Sequence, residues 1–186
     1  MIFKTEFSME MNTCNFEKTI DTWINSLENY SYQELSVKPG PQSWSLLQVI
    51  MHLIRENKFY EIQIEECLNN NENIDEEMKK EAKAMFGNNA FPDQRIKGSD
   101  LPENLPVPAN KEALKQQLLE LKNEMNLLWI RINNKASNGK TGHPGLGYFN
   151  AKEWFQFAEM HLRHHLRQKA RIDEFFWANL QKDQLN

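Results

Sequence analysis

Cysteine is almost absent from this chain. Only Cys14 and Cys67 occur, far apart and outside any CxxC pair. That excludes a disulfide framework and a thiolate zinc site. No apolar run approaches the ~18 residues that a membrane span needs, so no membrane role is expected. The first residues, MIFKTEFSMEMNT, carry acidic side chains and no apolar stretch. They do not read as a secretory signal, and the cytoplasm is the expected compartment. Basic charge is not in excess either: the net charge is −4 and the pI is near 5.8. A nucleic-acid binder held by a positive surface is therefore disfavoured. Runs of alternating β-branched residues are missing too, which argues against sheet.

Glycine and proline are scarce and confined, with seven of each. They fall into three gaps: Pro39 to Pro41, Gly87 to Pro108, and Gly139 to Gly147. The segments between and outside these gaps are long and free of helix breakers. The spacing predicts helices over roughly 12–30, 45–71, 110–133 and 151–181, with a short one near 75–86. Phe16, Ile20, Trp23 and Leu27 form one helical face. Leu46, Ile50, Leu53, Tyr60, Ile64 and Leu68 form a second. Leu114, Leu118, Leu121, Met125, Leu128 and Ile132 form a third. Ser45 with Gln48, and Asn150 with Glu153, have the spacing of capping boxes. The expected fold is an all-α, four-helix bundle forming a single domain over 1–186. The gap between the second and third helices is long enough for a crossover connection, so a simple up-down order is not required. Trp23, Trp44, Trp129, Trp154 and Trp177 are expected in the core or an interface. The acidic stretch Asp75 to Glu77 is expected to be solvated.

What is concentrated is histidine. Three of the five histidines lie within residues 160–168, MHLRHHLRQ. At ~100° per residue, His161 and His165 fall within ~20° of Trp154, in the middle of the inward stripe, with Gln168 beside them. His164 falls ~80° away, at the edge. Two successive turns of a core-facing stripe are thus given to imidazoles, each of which needs a partner if buried. Residues i and i+4 lie roughly 5–6 Å apart at Cβ, so both rings can reach one ion. The HExxH proteases use the same spacing, but the glutamate is missing here and that chemistry is not implied. His52 is the candidate third ligand, although on the second helix it falls off the apolar stripe, ~120° from Leu46. Taken alone, His52 reads as a satisfied or exposed histidine, His143 as a turn residue and Glu56 as a solvated carboxylate. A buried polar network or a partner-facing surface is the competing reading of the 161/165 pair.

The stretch KPGPQSWSLLQVIMHL resembles the second-helix entry of the DinB/YfiT-like family, and MHLRHHLRQ resembles its last-helix motif HxxHHxxQ. Many members read HHRGQ where this chain has His164-His165-Leu166-Arg167-Gln168. The loop His143 to Gly147, followed by a Glu-Trp helix start, resembles a less characterised branch. The resemblance covers essentially the whole chain. It implies a four-helix bundle of up-down-down-up topology, with a long connection between the second and third helices. It also implies a divalent metal held by His52, His161 and His165, and a homodimer. The apolar FFWANL, Phe175 to Leu180, would cover a neighbour or finish the monomer core.

Three neutral imidazoles leave positions on an ion open to water or substrate, as catalytic rather than structural sites do. Zinc is the default by ligand type, with nickel, iron and manganese as other fits. The resemblance adds thiol chemistry, since some relatives are similar to thiol-dependent transferases or isomerases. The expectation is a metal-dependent enzyme of thiol-transferase or hydrolase type, acting on a small-molecule substrate with a low-molecular-weight thiol as co-substrate. The alternatives are a non-catalytic metal- or ligand-binding stress-response protein, and a structural bundle with a dry histidine cluster. Gln168 is expected to orient a ligand ring or stay in the core network. Glu56 and His164 are weak candidates for proton transfer. The gap from Gly87 to Asn110 is expected to shape the pocket mouth.

Overall fold

The computed structural model describes residues 15–93, 106–137 and 139–183, with side chains to residue 178. Cys14 and the middle of the gap expected to shape the pocket mouth lie outside the described residues. So do the side chains of Asn179 and Leu180.

The chain is mostly helical. Helix α1 occupies 15–26 and tightens into a 3-10 turn, Leu27–Asn29. A short α2, Tyr32–Leu35, follows behind a Ser31/Glu34 capping box. Helix α3 is Leu46–Asn69, α4 is Lys80–Asn88, α5 is Lys111–Asn134 and α6 is Ala151–Asp183. Both proposed caps are made. Gln48 N donates to Ser45 Oγ at 3.2 Å, and Ser45 N donates to Gln48 Oε1 at 3.0 Å. Glu153 N donates to Asn150 Oδ1 at 3.0 Å, and Asn150 N donates to Glu153 Oε2 at 2.8 Å. Each box satisfies two backbone donors that a helix start leaves without a partner, and so fixes where α3 and α6 begin.

The three apolar stripes meet in one core: every residue named on them is buried. Polar contacts at the flanks show how the helices align. Along α3 and α6, His52 meets His161 and His165, Tyr60 meets Trp154 and Phe157, and Cys67 Sγ lies 3.4 Å from Phe149 O just before α6. Along α3 and α5, Lys58 pairs with Glu124, Glu65 with Arg131 and Asn69 with Lys135. Helix α1 gives Glu17, Asp21 and Glu28 to Asn126, Lys122 and Lys115 of α5. It gives Thr19, Trp23 and Tyr30 to Glu159, Leu162 and Asp173 of α6.

Two expectations are corrected. A β-hairpin is present: β1, Lys140–His143, pairs antiparallel with β2, Gly147–Asn150. Its strands are too short and glycine-rich to show alternation, but each buries one residue, Thr141 and Phe149. Trp154 Nε1 donates to Thr141 Oγ1 at 2.7 Å and locks the hairpin onto α6. The short helix begins at Lys80 rather than near 75, because the preceding backbone is used by the hairpin. Tyr148 N donates to Glu77 O, and Lys79 N donates to Leu146 O. The side chains of Asp75 to Glu77 are exposed, as expected.

Gly147 makes this junction. Its φ is +87°, and a Cβ there would lie 2.6 Å from Glu77 O and 2.8 Å from Lys79 N. Both neighbours are backbone, so neither can yield cheaply. Gly147→Ala is expected to destabilise the chain by about 2 kcal/mol or more. Gly145→Ala, where a Cβ meets nothing within 4 Å, should stay within about 0.5 kcal/mol of wild type. Urea denaturation of the two variants checks this; equal midpoints would refute it.

Candidate metal centre

Helices α3 and α6 cross where each carries imidazole. His52 sits in the second turn of α3, where residues 46–54 are buried at every position except Gln48. His52, which lies off the apolar stripe of α3, is nonetheless interior, so of the two readings it has alone, satisfied or exposed, the exposed one is corrected. A wheel assumes one apolar face, but this end of α3 is covered all round. His52 is 5% exposed and His161 8%, while His165 is half-buried. Their ligand atoms lie within 4.8 Å of one another. His161 Nε2 is 3.3 Å from His52 Nε2 and 3.1 Å from His165 Nε2.

The remaining ring nitrogens face outward. His165 Nδ1 lies 2.8 Å from Gln168 Oε1. His161 Nδ1 lies 3.4 Å from Tyr60 Oη. His52 Nδ1 is buried with no hydrogen-bond partner among the described residues, and Glu56 Oε1 is 3.9 Å away. Burial is the main cause that keeps all three rings neutral. It lowers His52 to about 3, with His165 and Arg55 adding to the effect. His161 is pushed well below its ordinary value, first by burial and then by His165 and His52. His165 is lowered by burial, against the bond to Gln168 and the Glu56 charge.

Neutral imidazole has one donor nitrogen and one acceptor nitrogen, and the cluster can be tested on that basis. Gln168 Oε1 only accepts, so His165 carries its proton on Nδ1 and turns a bare Nε2 inward. If His161 then donates from Nε2 to His165, His52 Nε2 must be bare, and its proton sits on the unpartnered, buried Nδ1. If instead His52 donates from Nε2 to His161, two lone pairs face each other across the 3.1 Å between His161 and His165. Either neutral assignment leaves one group unsatisfied, which costs about 1–3 kcal/mol when buried. A cation among three bare Nε2 atoms takes up all three inward lone pairs and leaves only the His52 Nδ1–H without a partner. The spacing suits it as well, since imidazoles on a tetrahedral zinc at 2.0–2.1 Å have nitrogens about 3.3 Å apart. The residues present fit a divalent ion.

Residues 15–168 match the profile described as the DinB superfamily, which is most of the chain. The chain belongs to the DinB superfamily. No curated protein matches it significantly. Superfamily membership and the three-histidine cluster together are compatible with a divalent-metal-binding protein. No helix among the described residues is long and apolar enough to cross a membrane.

The other singled-out residues stand around this cluster. His164 is outside it: Arg167 donates to its Nδ1 at 2.6 Å, and its ring lies 5.2 Å from Phe91. His143 ends β1 and packs on Trp154 and Phe157, with Gly145 N donating to its Nδ1 at 3.1 Å. Three contributors carried no periodic signal of a site. Tyr60 reads as one more core residue. Trp44, whose ring is 5.2 Å from that of His52, lies just before the cap. Phe91, 5.8 Å from His161, lies in a gap rich in glycine and proline. Arg163 and Arg167 hold that segment to α6 by donating to Asn89 O, Phe91 O and Pro92 O.

The depressed histidines link stability to pH. In the unfolded chain they titrate near 6.5, but in the folded chain His52 lies at about 3 and His164 and His143 at about 4. Below the unfolded value, the unfolded chain binds more protons. Stability is therefore full above pH 6.5 and lost as pH falls toward these lower values. The slope is at most about 1.4 kcal/mol per pH unit for each ring that stays neutral. Denaturation of metal-free protein between pH 7.5 and 4.5 should show this decline; an unchanged midpoint from pH 7 to 5 would contradict it.

Proposed function

We propose that His52, His161 and His165 hold one divalent ion through their Nε2 atoms, and that the chain is a metal-dependent enzyme of thiol-transferase or hydrolase type. The observation that carries the metal site is the meeting of three inward Nε2 atoms with no fully satisfied neutral proton assignment. When bound, a divalent ion would supply Lewis acidity and lower the pKa of a bound water or thiol. The protein supplies the rest. Burial holds the rings in their neutral, ligating form. Trp44 and Phe91 wall the cluster and keep water from its flanks. Three protein ligands would leave coordination positions open, which supports catalysis over a purely structural site.

Zinc is the proposed metal by ligand type. The proposed substrate is a small molecule, with a low-molecular-weight thiol as the nucleophile where the chemistry is transfer. The order of contacts supports up-down-down-up topology for α1, α3, α5 and α6. Residue numbers rise together between α3 and α5 and between α1 and α6, and in opposition between α3 and α6 and between α1 and α5. We read the chain as one cytoplasmic domain forming a homodimer. Trp177, 62% exposed on α6, supports a buried partner face. The second reading is a metal- or ligand-binding stress-response protein without turnover. It is favoured by the burial of His52 and His161, which suits a retained ion.

Metal analysis of purified protein is expected to find about one zinc per chain, lost in His52→Ala, His161→Ala and His165→Ala and kept in His164→Ala. Binding abolished by His164→Ala but not by His165→Ala would make the ligand set wrong. Because burial holds the rings neutral, affinity should persist below pH 6.5 and fall only as pH approaches the lowered values of the ligands, about 3 for His52. Loaded protein assayed with low-molecular-weight thiols and a panel of electrophiles, and with esters and amides, should turn over at least one pair. Full occupancy with no turnover would leave the binding protein as the better reading.

A further inference from the structure

The conflict within the cluster involves not only an ion but also the atoms behind each ring. A histidine can ligate through Nε2 only while its proton sits on Nδ1, and that tautomer is held by whatever accepts from Nδ1. Behind His165 the acceptor is in place: Gln168 Oε1 at 2.8 Å, one turn along the same helix. Behind His52 it stands off. Glu56 Oε1 is 3.9 Å from Nδ1, on the same face at i+4, and accepts from Arg55 Nε and Nη2 at 3.1 and 2.7 Å. His52 Nδ1 has no other partner among the described residues, although it is buried. A shift of about 1 Å would bring the carboxylate to hydrogen-bond distance, and its side chain is 24% exposed, with room to turn.

We infer that Gln168 and Glu56 are positioning residues that hold the Nδ1–H tautomers of His165 and His52, so that both Nε2 lone pairs face one ion. This rests on the metal-site reading above. The two residues act at different stages. Gln168 sets His165 in the metal-free chain. Glu56 closes on His52 when its proton is on Nδ1; the proton changes nitrogen within the ring, and the ring's charge is unchanged. Tyr60 Oη, 3.4 Å behind His161 Nδ1, is intermediate between the made contact at Gln168 and the open one at Glu56.

The test uses the full chain, zinc as the only added ligand, and two readouts. Nitrogen-15 NMR of the imidazoles locates each ring proton, and competition with a chromophoric chelator gives zinc affinity. In metal-free wild type, His165 should be protonated at Nδ1; in Gln168→Leu it should become a tautomer mixture. Gln168→Leu and Glu56→Leu should each weaken zinc binding about 10- to 100-fold. Gln168→Glu and Glu56→Gln, which keep an oxygen acceptor, should stay within about threefold of wild type. If a leucine variant does not fold, Gln168→Asn and Glu56→Asp withdraw the same oxygen by one methylene and should show the same losses. Leucine variants that bind zinc as wild type does would overturn the inference, as would a bare Nδ1 on His165 in the metal-free wild type. Wild type that takes up no zinc overturns the metal-site reading and, with it, the Glu56 role. The His165 proton then decides the Gln168 role alone.

Discussion

Three imidazoles packed tip to tip between two helices set the terms for this structure. Each ring has one proton and two nitrogens, and burial denies it both water and a second proton. Helix packing alone would have filled the crossing of α3 and α6 with aliphatic side chains. Rings at 52, 161 and 165 replace close packing with a proton-placement problem that no neutral arrangement solves. The surrounding structure holds the rings to that problem. Tyr60 stacks on Trp154, whose indole donates to Thr141 of the hairpin, and the hairpin in turn engages Glu77 and Lys79 ahead of α4. The crossing is therefore braced by the hairpin as well as by Trp44.

Residues 89–93 cover the cluster from the other direction, and they depend on buried charge. Glu159 is 5% exposed and accepts from Thr19 Oγ1 and from Arg163 Nε and Nη2. A buried carboxylate paired in this way holds the guanidinium at a fixed height on α6. The same Arg163 then donates to Asn89 O, and Arg167 one turn later reaches Phe91 O and Asp93. His164, placed at the edge of the stripe by the helical period, belongs to this arrangement. Its Nδ1 accepts from Arg167 and its ring meets Phe91. Three adjacent turns of α6 thus do different work, with ligand-type rings inward and a latch for the covering segment at the edge.

Much of this was legible in the sequence, because helices announce themselves through spacing. The stripes on α1, α3 and α5, both capping boxes, and the separation of His161 and His165 from His164 all follow from a 3.6-residue period. The rest was hidden for identifiable reasons. His52 lies off the stripe of α3, and only the covering of that helix end by Trp44 and by α6 makes it interior. Family resemblance, not periodicity, joined it to the pair. The hairpin strands are four residues each and carry two of the chain's seven glycines, so alternation never develops. Phe91 and Asn89 act through position and backbone carbonyls, which leave no mark on composition. Gln168 was legible as an inward residue, but its service to His165 Nδ1 depends on a rotamer.

The outer atoms also bear on what an ion here could do. Three neutral donors leave a divalent ion its full charge, which favours an anionic fourth ligand such as a thiolate or hydroxide. Gln168 adds no charge behind His165, whereas Glu56 would add one behind His52. Arg55 holds that carboxylate at 2.7 Å while His52 Nδ1 stands at 3.9 Å. As long as Arg55 keeps Glu56, the charge is neutralised before it reaches the ring, and the cluster stays electron-poor. If Glu56 turns to His52, the ring becomes a stronger donor and the pull on a bound anion weakens. The competition between Arg55 and His52 for one carboxylate is therefore the point at which this fold could tune an ion bound at the cluster without changing a ligand.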